Sequence, residues 1–426
     1  MAGTTQVGGK NIRVVAAGFI GNILEWYDFA VYGFFAPTIG KLFFPSDDPS
    51  TSLIASFGAF AAGFLMRPVG AVLFGHIGDR IGRKKALTIS VIMMAVPTLL
   101  VGILPTHAQI GVYAAVLMVL LRMVQGVSVG GEYTSSFVFL VEHAPPERRA
   151  FFGSWSMIGA TCGILLGSAV GALVNSLTTD EQLLNWGWRL PFLAGVLVAF
   201  VGYFIRHGIP EEPITKEPTE KAKISPIREA LTYHRKELLQ AAGLNLMIAV
   251  TFYTVFIYLA SWLEEEVGEP RGEALDINTI SMAVLSIALP FAAMLADKFG
   301  RKPFLLIGAG GVALFSYPLI NLMHHHNFTM ILTGQICFAL LLACFGGALP
   351  ATLTELFKRG VRVSAASVSY NLTFAIFGGT APVVAAWLVK ETGNPVSFSW
   401  YLSAMAVVSF LICLTIRETH GTSLDE

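Results

Sequence analysis

Charge is scarce in this chain. Only 13% of its 426 residues are Asp, Glu, Lys or Arg, about half the share of a soluble domain. Hydrophobic residues make up 54% and the mean hydropathy is +0.65, so lipid is the implied solvent. Acids and bases number 28 each, and a net charge of zero argues against a nucleic-acid partner. The four cysteines (Cys162, Cys337, Cys344, Cys413) all fall in apolar runs. Cys337 and Cys344 lie roughly 10 Å apart along a helix, too far for a disulfide. With no CxxC pair either, no disulfide framework exists and redox chemistry is not expected. The N-terminal apolar run is long, carries acids and lacks a small-residue cleavage site, so it is not read as a cleaved signal peptide. No phosphate loop occurs: "GAGGVALFS" (308–316) lacks a following Gly-Lys-Ser/Thr, which leaves ATP-driven transport unsupported. No nucleophile–base or metal-ligand constellation suggests an enzyme. The histidine run 324–326 falls in a short outer loop, and three adjacent residues rarely converge on one ion, so no metal is expected.

What the chain has is long apolar segments. Crossing ~30 Å of hydrocarbon takes about 20 residues of helix. Twelve such segments are predicted, at 14–36, 51–75, 86–105, 110–133, 151–175, 189–206, 238–262, 278–296, 303–323, 329–352, 362–389 and 398–417. A polar linker, 207–236, divides them into bundles 1–206 and 237–426, with an amphipathic helix starting near Ser225. With both termini cytoplasmic, 22 of the 28 basic residues are cytoplasmic. Only Lys41, Arg271 and Lys390 lie outside, while Arg67, Arg122 and Arg189 lie within or at the ends of helices. The positive-inside rule therefore fixes the orientation, and the acidic stretch 264–276 is an outer loop.

The halves repeat. "GDRIGRKK" (78–85) and "ADKFGRKP" (296–303) both read D-[RK]-x-G-R-K and join helices 2–3 and 8–9. Glu142 with Arg149, and Glu355 with Arg362, each pair an acid with an arginine seven residues on. Parallel repeats of this kind mark transporters whose bundles rock about a midplane site. Asp79, Arg83, Glu142, Arg149, Asp297, Arg301, Glu355 and Arg362 are the candidate cytoplasmic gate. An aspartate beside a helix N-terminus is favoured by the dipole, and opposed arginines can pair with acids across the seam.

At these residues the chain resembles the major facilitator superfamily. "GNILEWYDFAVYGFF", "FLMRPVGAVLFGHIGDRIGRKKAL", "RMVQGVSVGGEYTSSFVFLVEHAPPERRAFFGSW" and "NWGWRLPF" narrow the resemblance to the metabolite:proton symporter family, over nearly the whole chain. The resemblance implies an all-α fold of two six-helix bundles. It also implies import of citrate, dicarboxylates, shikimate, or proline and betaine, in a bacterial inner membrane, with the proton gradient in place of a cofactor.

Charges inside the segments carry the functional reading. Glu25 and Asp28, spaced i,i+3, share a face of helix 1. Arg67 lies about 12 Å from the cytoplasmic end of helix 2, and Arg122 roughly 18 Å from the outer end of helix 4. Glu132 follows Arg122. Such groups are expected to face a water-filled cavity. In one reading they pair as structural salt bridges. In the other, an arginine binds a substrate carboxylate and a buried acid carries a proton. The second reading makes Asp28, Glu25 and Glu132 the proton-coupling candidates. Arg122, Arg67, Gln125, Tyr133, Tyr253, Tyr370 and Asn371 are the substrate-binding candidates. Helix 5 carries Gly159, Gly163, Gly167 and Gly171, a small-residue stripe for close helix contact. The resulting expectation is a monomeric symporter of a small carboxylate-bearing metabolite, with protons and the lipid bilayer as its other partners. Proline or betaine uptake by the same fold is the alternative, and a non-transporting sensor a further one.

Overall fold

The computed structural model describes residues 22–23, 25–81, 83–130, 132–195 and 226–424. Among these no strand occurs. Among the described residues, nine helices are long and apolar enough to cross a membrane, and Ile92–Ile103 is a shorter apolar one. Helix 1 is described over 25–43 and helix 6 over 190–195. Helix 2 is Pro49–Leu65 continued by Arg67–Ile81, and helix 3 is Arg83–Ile103. Helix 4 is Val112–Val129 continued by Glu132–Glu142, and helix 5 is Arg149–Leu177. Helices 7 to 12 are Arg235–Val267, Arg271–Phe299, Arg301–Met323, Phe328–Glu355, Arg362–Thr392 and Phe398–Thr415. Most of the predicted linker and the 206 boundary lie outside the described residues. Its end, Pro226–Tyr233, is the expected short helix.

Local chemistry sets the helix limits. Asp48 caps helix 2, its Oδ1 accepting from the Ser50 N–H at 3.1 Å, and Pro49 takes the first helical position, where no N–H is needed. Asn327 caps helix 10 in the same way, accepting from Met330 N–H at 3.1 Å. Helix 2 breaks at Met66, just ahead of Pro68, whose ring cannot follow an unbroken helical turn. The acidic outer stretch 264–276 is shorter as a loop than expected. Helix 7 runs on to Val267 and helix 8 starts at Arg271. The turn between them uses Gly268 at φ 79°, and Arg271 reaches back to Glu264 at 2.6 Å.

Close backbone contact between helices 2 and 4 decides where their arginines point. A methyl on Gly126 would collide with the Gly63 carbonyl, one on Gly70 with the Val127 carbonyl, and one on Gly130 with the Arg67 carbonyl. With the backbones touching, no side chain fits between them. Arg67 and Arg122 leave the contact on different sides, the first toward Trp26 and Phe64 and the second toward Phe29 and Tyr32. The glycine stripe of helix 5 plays a similar part. Gly163 lies against Ile23 and Trp26, Gly167 against Ala30, and Gly171 against Leu275 of helix 8. Gly126→Ala is expected to force helices 2 and 4 apart. It should lower the thermal midpoint in detergent and reduce transport together; full stability in this variant would contradict the packing argument.

The two halves meet at both ends. At the end expected to be cytoplasmic the repeated acid–arginine pairs exchange partners. Arg362 reaches Glu142 at 2.6 Å, and Arg149 reaches Glu355 at 3.6 Å. Arg301 adds contacts of 3.0 Å to Asp297 and 3.3 Å to Glu355. Asp297 also accepts from the Ala150 and Phe151 N–H groups at 2.9 and 2.8 Å, capping helix 5 from the opposite half. The tail closes over this cluster: Thr419 donates to Glu355 at 2.7 Å, and Arg149 donates to the Thr422 carbonyl at 2.7 Å. Burial works against ionisation of Glu418 in this tail. Backbone N–H groups of His420, Arg301 and Lys302 nevertheless hold its carboxyl below the ordinary range. The side chains of two further gate candidates, Asp79 and Arg83, lie outside the described residues.

The outer end is stitched by more exposed pairs. Lys390 contacts Asp48 at 2.7 Å and Thr51 at 2.6 Å, joining helix 11 to helix 2. The Lys390 and Asp48 side chains are 37% and 46% exposed, whereas Arg149, Arg301 and Glu355 in the acid–arginine cluster are at most 7% exposed. Hydrogen bonds from Lys390 and Thr51 hold the Asp48 carboxyl at about 2, so its carboxylate stays charged at any physiological pH. An exposed pair is screened by salt and a buried one much less. Lys390→Gln is therefore expected to raise outward opening about two- to fivefold at low salt and to do little at 1 M. Thiol labelling of a cysteine placed just inside the outer seam reads this; an equal effect at both salts would refute it.

Candidate functional site

At mid-depth the side chains of helices 1, 2, 4, 7 and 11 converge. Trp26 and Tyr253 stack across the two halves with centroids 6.2 Å apart, and Tyr133 and Tyr370 do so at 4.9 Å. Phe64 meets Tyr253 edge-on at 4.9 Å. Inside this aromatic box lies the Arg67 guanidinium, 5.1 Å from the Phe64 ring, 5.5 Å from Trp26 and 5.8 Å from Tyr370. Aromatic faces attract a cation, most strongly where water is excluded. Arg67 pairs with Glu25 at 3.6 Å, and both are buried. Asn371, next to Tyr370, donates to the Gly130 carbonyl at 2.7 Å and ties helix 11 to helix 4 beside the box.

The second arginine lies elsewhere. Arg122 packs 4.4 Å from the Tyr32 ring and 4.5 Å from Phe29, wholly within the N-terminal half. It donates to Gln125 Oε1 at 2.7 Å; Gln125 donates to Thr98 Oγ1 at 2.8 Å, and Thr98 donates to Asp28 Oδ2 at 2.8 Å. Thr98 follows Pro97 in helix 3. The four groups form one buried polar chain from helix 4 to helix 1.

Glu25 and Asp28 share a helix face in the sequence, yet they serve different neighbours here. Glu25 belongs to the box and Asp28 to the chain behind it. Of the substrate candidates, Arg67, Tyr133, Tyr253, Tyr370 and Asn371 come together, while Arg122 and Gln125 do not join them. The Glu132 side chain lies outside the described residues. Trp26 and Phe64 are box residues that the sequence reading did not select. Only the tryptophan's place beside Glu25 gave any signal, since a lone aromatic residue on an apolar helix reads as packing.

A family model described as "Sugar (and other) transporter" matches residues 14–225 and again 212–426. The chain belongs to this transporter family. It is 36% identical over 98% of its length to the glycine betaine/proline/ectoine/pipecolic acid transporter of Dickeya dadantii, covering 85% of that protein. It is 34% identical over 98% of its length to the proline/betaine transporter of Escherichia coli K12, again covering 85% of it. A putative proline/betaine transporter of Staphylococcus aureus is 36% identical over 97% of this chain and 90% of its own length. Among solved structures, the xylose transporter of E. coli in a partially occluded inward-open state superposes with TM-score 0.79 at 20% identity. That likeness covers 97% of this chain and 99% of the xylose transporter. A D-xylose–proton symporter structure matches at TM-score 0.76 and 21% identity, over 97% of this chain and 99% of the other. The fold is therefore that of the major facilitator superfamily, and this member of the sugar (and other) transporter family is a multi-pass membrane transporter rather than an enzyme.

Proposed function

We propose that this transporter imports a small zwitterion of the proline or betaine type, together with protons. The observation that carries the substrate class is the Arg67–Glu25 pair inside the aromatic box. One cation and one anion make a site of zero net charge, and a zwitterion can satisfy both. Its carboxylate would meet the Arg67 fork, to which a planar two-oxygen acceptor is suited. Its ammonium would lie against Glu25 and the faces of Trp26 and the tyrosines. An organic acid such as citrate would place extra negative charge against Glu25, with no second arginine in reach because Arg122 is held over Phe29 and Tyr32. The carboxylate-metabolite expectation therefore yields to the osmolyte alternative, and the names of the relatives support the same choice.

For coupling, Asp28 is the favoured proton carrier. Protonating it would keep the Thr98–Gln125–Arg122 chain but remove the negative charge that balances Arg122. Each binding and coupling group lies in one copy, which supports action as a monomer in a bacterial inner membrane, driven by the proton gradient alone. Competition for uptake in membrane vesicles tests the reading. Proline and betaine should compete at micromolar to millimolar levels, and an imposed inward proton gradient should stimulate uptake. Competition by citrate or α-ketoglutarate but not by betaine would overturn it.

A further inference from the structure

Beneath the box, on its cytoplasmic side, helix 7 buries an amide with nothing to bond. Asn245 is fully buried, and neither its Oδ1 nor its Nδ2 finds a partner among the described residues. Buried polar groups are nearly always hydrogen-bonded, so an orphan with both its donor and its acceptor unused calls for an explanation. The face it occupies narrows the choice. Gln240, Gly243 and Met247 mark the side of helix 7 that packs on helix 12, through Thr415, Ile412 and Ser409. Asn245 sits about 200° of helical rotation from both Gly243 and Met247, on the opposite side. It is eight residues, about 12 Å, nearer the cytoplasm than Tyr253 of the box.

Helix 1 shows a weaker version of the same feature. Asn22 is also fully buried, four residues (about 6 Å) below Trp26. Its Nδ2 reaches the Ser156 carbonyl only at 3.5 Å, and its Oδ1 has no partner among the described residues. Helices 1 and 7 belong to opposite halves and meet at the Trp26–Tyr253 stack. Rocking that opens the cytoplasmic end would part helices 1 and 7 below that stack.

We infer that Asn245 contacts the transported solute on its way out of the box, as a release subsite on the cytoplasmic side. Its Nδ2 would donate to the carboxylate and its Oδ1 would accept from a protonated amine. A neutral amide holds a zwitterion less tightly than Arg67 and Glu25 do, which is what release requires. The inference rests on the zwitterion reading above.

The test compares the two faces of one protein. Half-saturating concentrations of proline are measured in right-side-out and inside-out vesicles, alongside the thermal midpoint in detergent. Asn245→Ala should raise the cytoplasmic-side value at least fivefold and the outer-side value less than twofold. The thermal midpoint should stay level or rise, because an orphan amide has been removed. Equal changes on both faces, or none on either, overturn the inference. So does a lowered midpoint with unchanged transport constants, which marks a structural amide. Wild-type vesicles that carry neither proline nor betaine overturn the substrate reading alone, and the two-sided comparison then runs on the solute they do carry.

Discussion

Arg67→Lys is expected to weaken zwitterion binding about 100-fold, with the chain still folded. A bidentate charge-assisted contact is replaced by a single point charge, and such bonds are worth about 1.5–3 kcal/mol each. Lysine keeps a cation beside Glu25, so the buried acid is not stranded. Removing the charge altogether, as in Arg67→Ala, strands it at about 3–5 kcal/mol and tests folding more than binding. The partner substitution separates charge from shape. Glu25→Gln leaves the site with one net positive charge, so it should favour a monocarboxylate of betaine's size over betaine itself. Equilibrium binding of labelled proline and competition by such an anion measure both effects. Unchanged proline affinity in Arg67→Lys would remove Arg67 from the site.

Asp28→Asn should abolish concentrative uptake while leaving exchange intact. Asparagine preserves the shape and can still accept from Thr98, so the fold is retained, but it has no proton to exchange. Accumulation driven by a pH gradient should collapse to equilibration, an inside-to-outside ratio of 1, whereas counterflow of proline should persist. The opposite outcome, Asp28→Asn concentrating solute while Glu25→Gln does not, would transfer the proton to Glu25. Thr98→Ala should act in the same direction more weakly, because it removes the only direct hydrogen bond the described residues give Asp28. Arg122→Lys should mainly cost stability, since the guanidinium stacks between Phe29 and Tyr32 and does not reach the box.

The Arg362–Glu142 pair invites a charge exchange. Glu142→Arg sets two arginines face to face across the seam and should favour the inward-open state. Adding Arg362→Glu restores an opposite pair. Recovery of uptake in the double variant is the expected result, and no recovery would mean that the 2.6 Å contact does not hold the halves together.

The sequence by itself determined the solvent, the apolar segments and the twofold repeat, and it set the expected orientation. Each of these is written in local hydropathy, in the placement of lysine and arginine, or in motifs a few residues long. It also singled out Glu25, Asp28, Arg67 and Arg122, because a charge inside an apolar segment stands out without any neighbour. Partnership was a different matter. Glu25 and Asp28 lie three residues apart on one helix, and nothing local says that one faces an aromatic box and the other a threonine of helix 3. Likewise the acid–arginine repeats named four of the gate candidates, but not that each arginine would take the acid of the opposite half. Those assignments depend on segments more than 200 residues apart in places, and on where helices 2 and 4 touch. Gly63, Gly70, Gly126 and Gly130 let two backbones meet, and around that contact Arg67 lies in the aromatic box and Arg122 behind it. Which charges a segment carries is a property of the chain; which of them share a site is decided only when the helices pack.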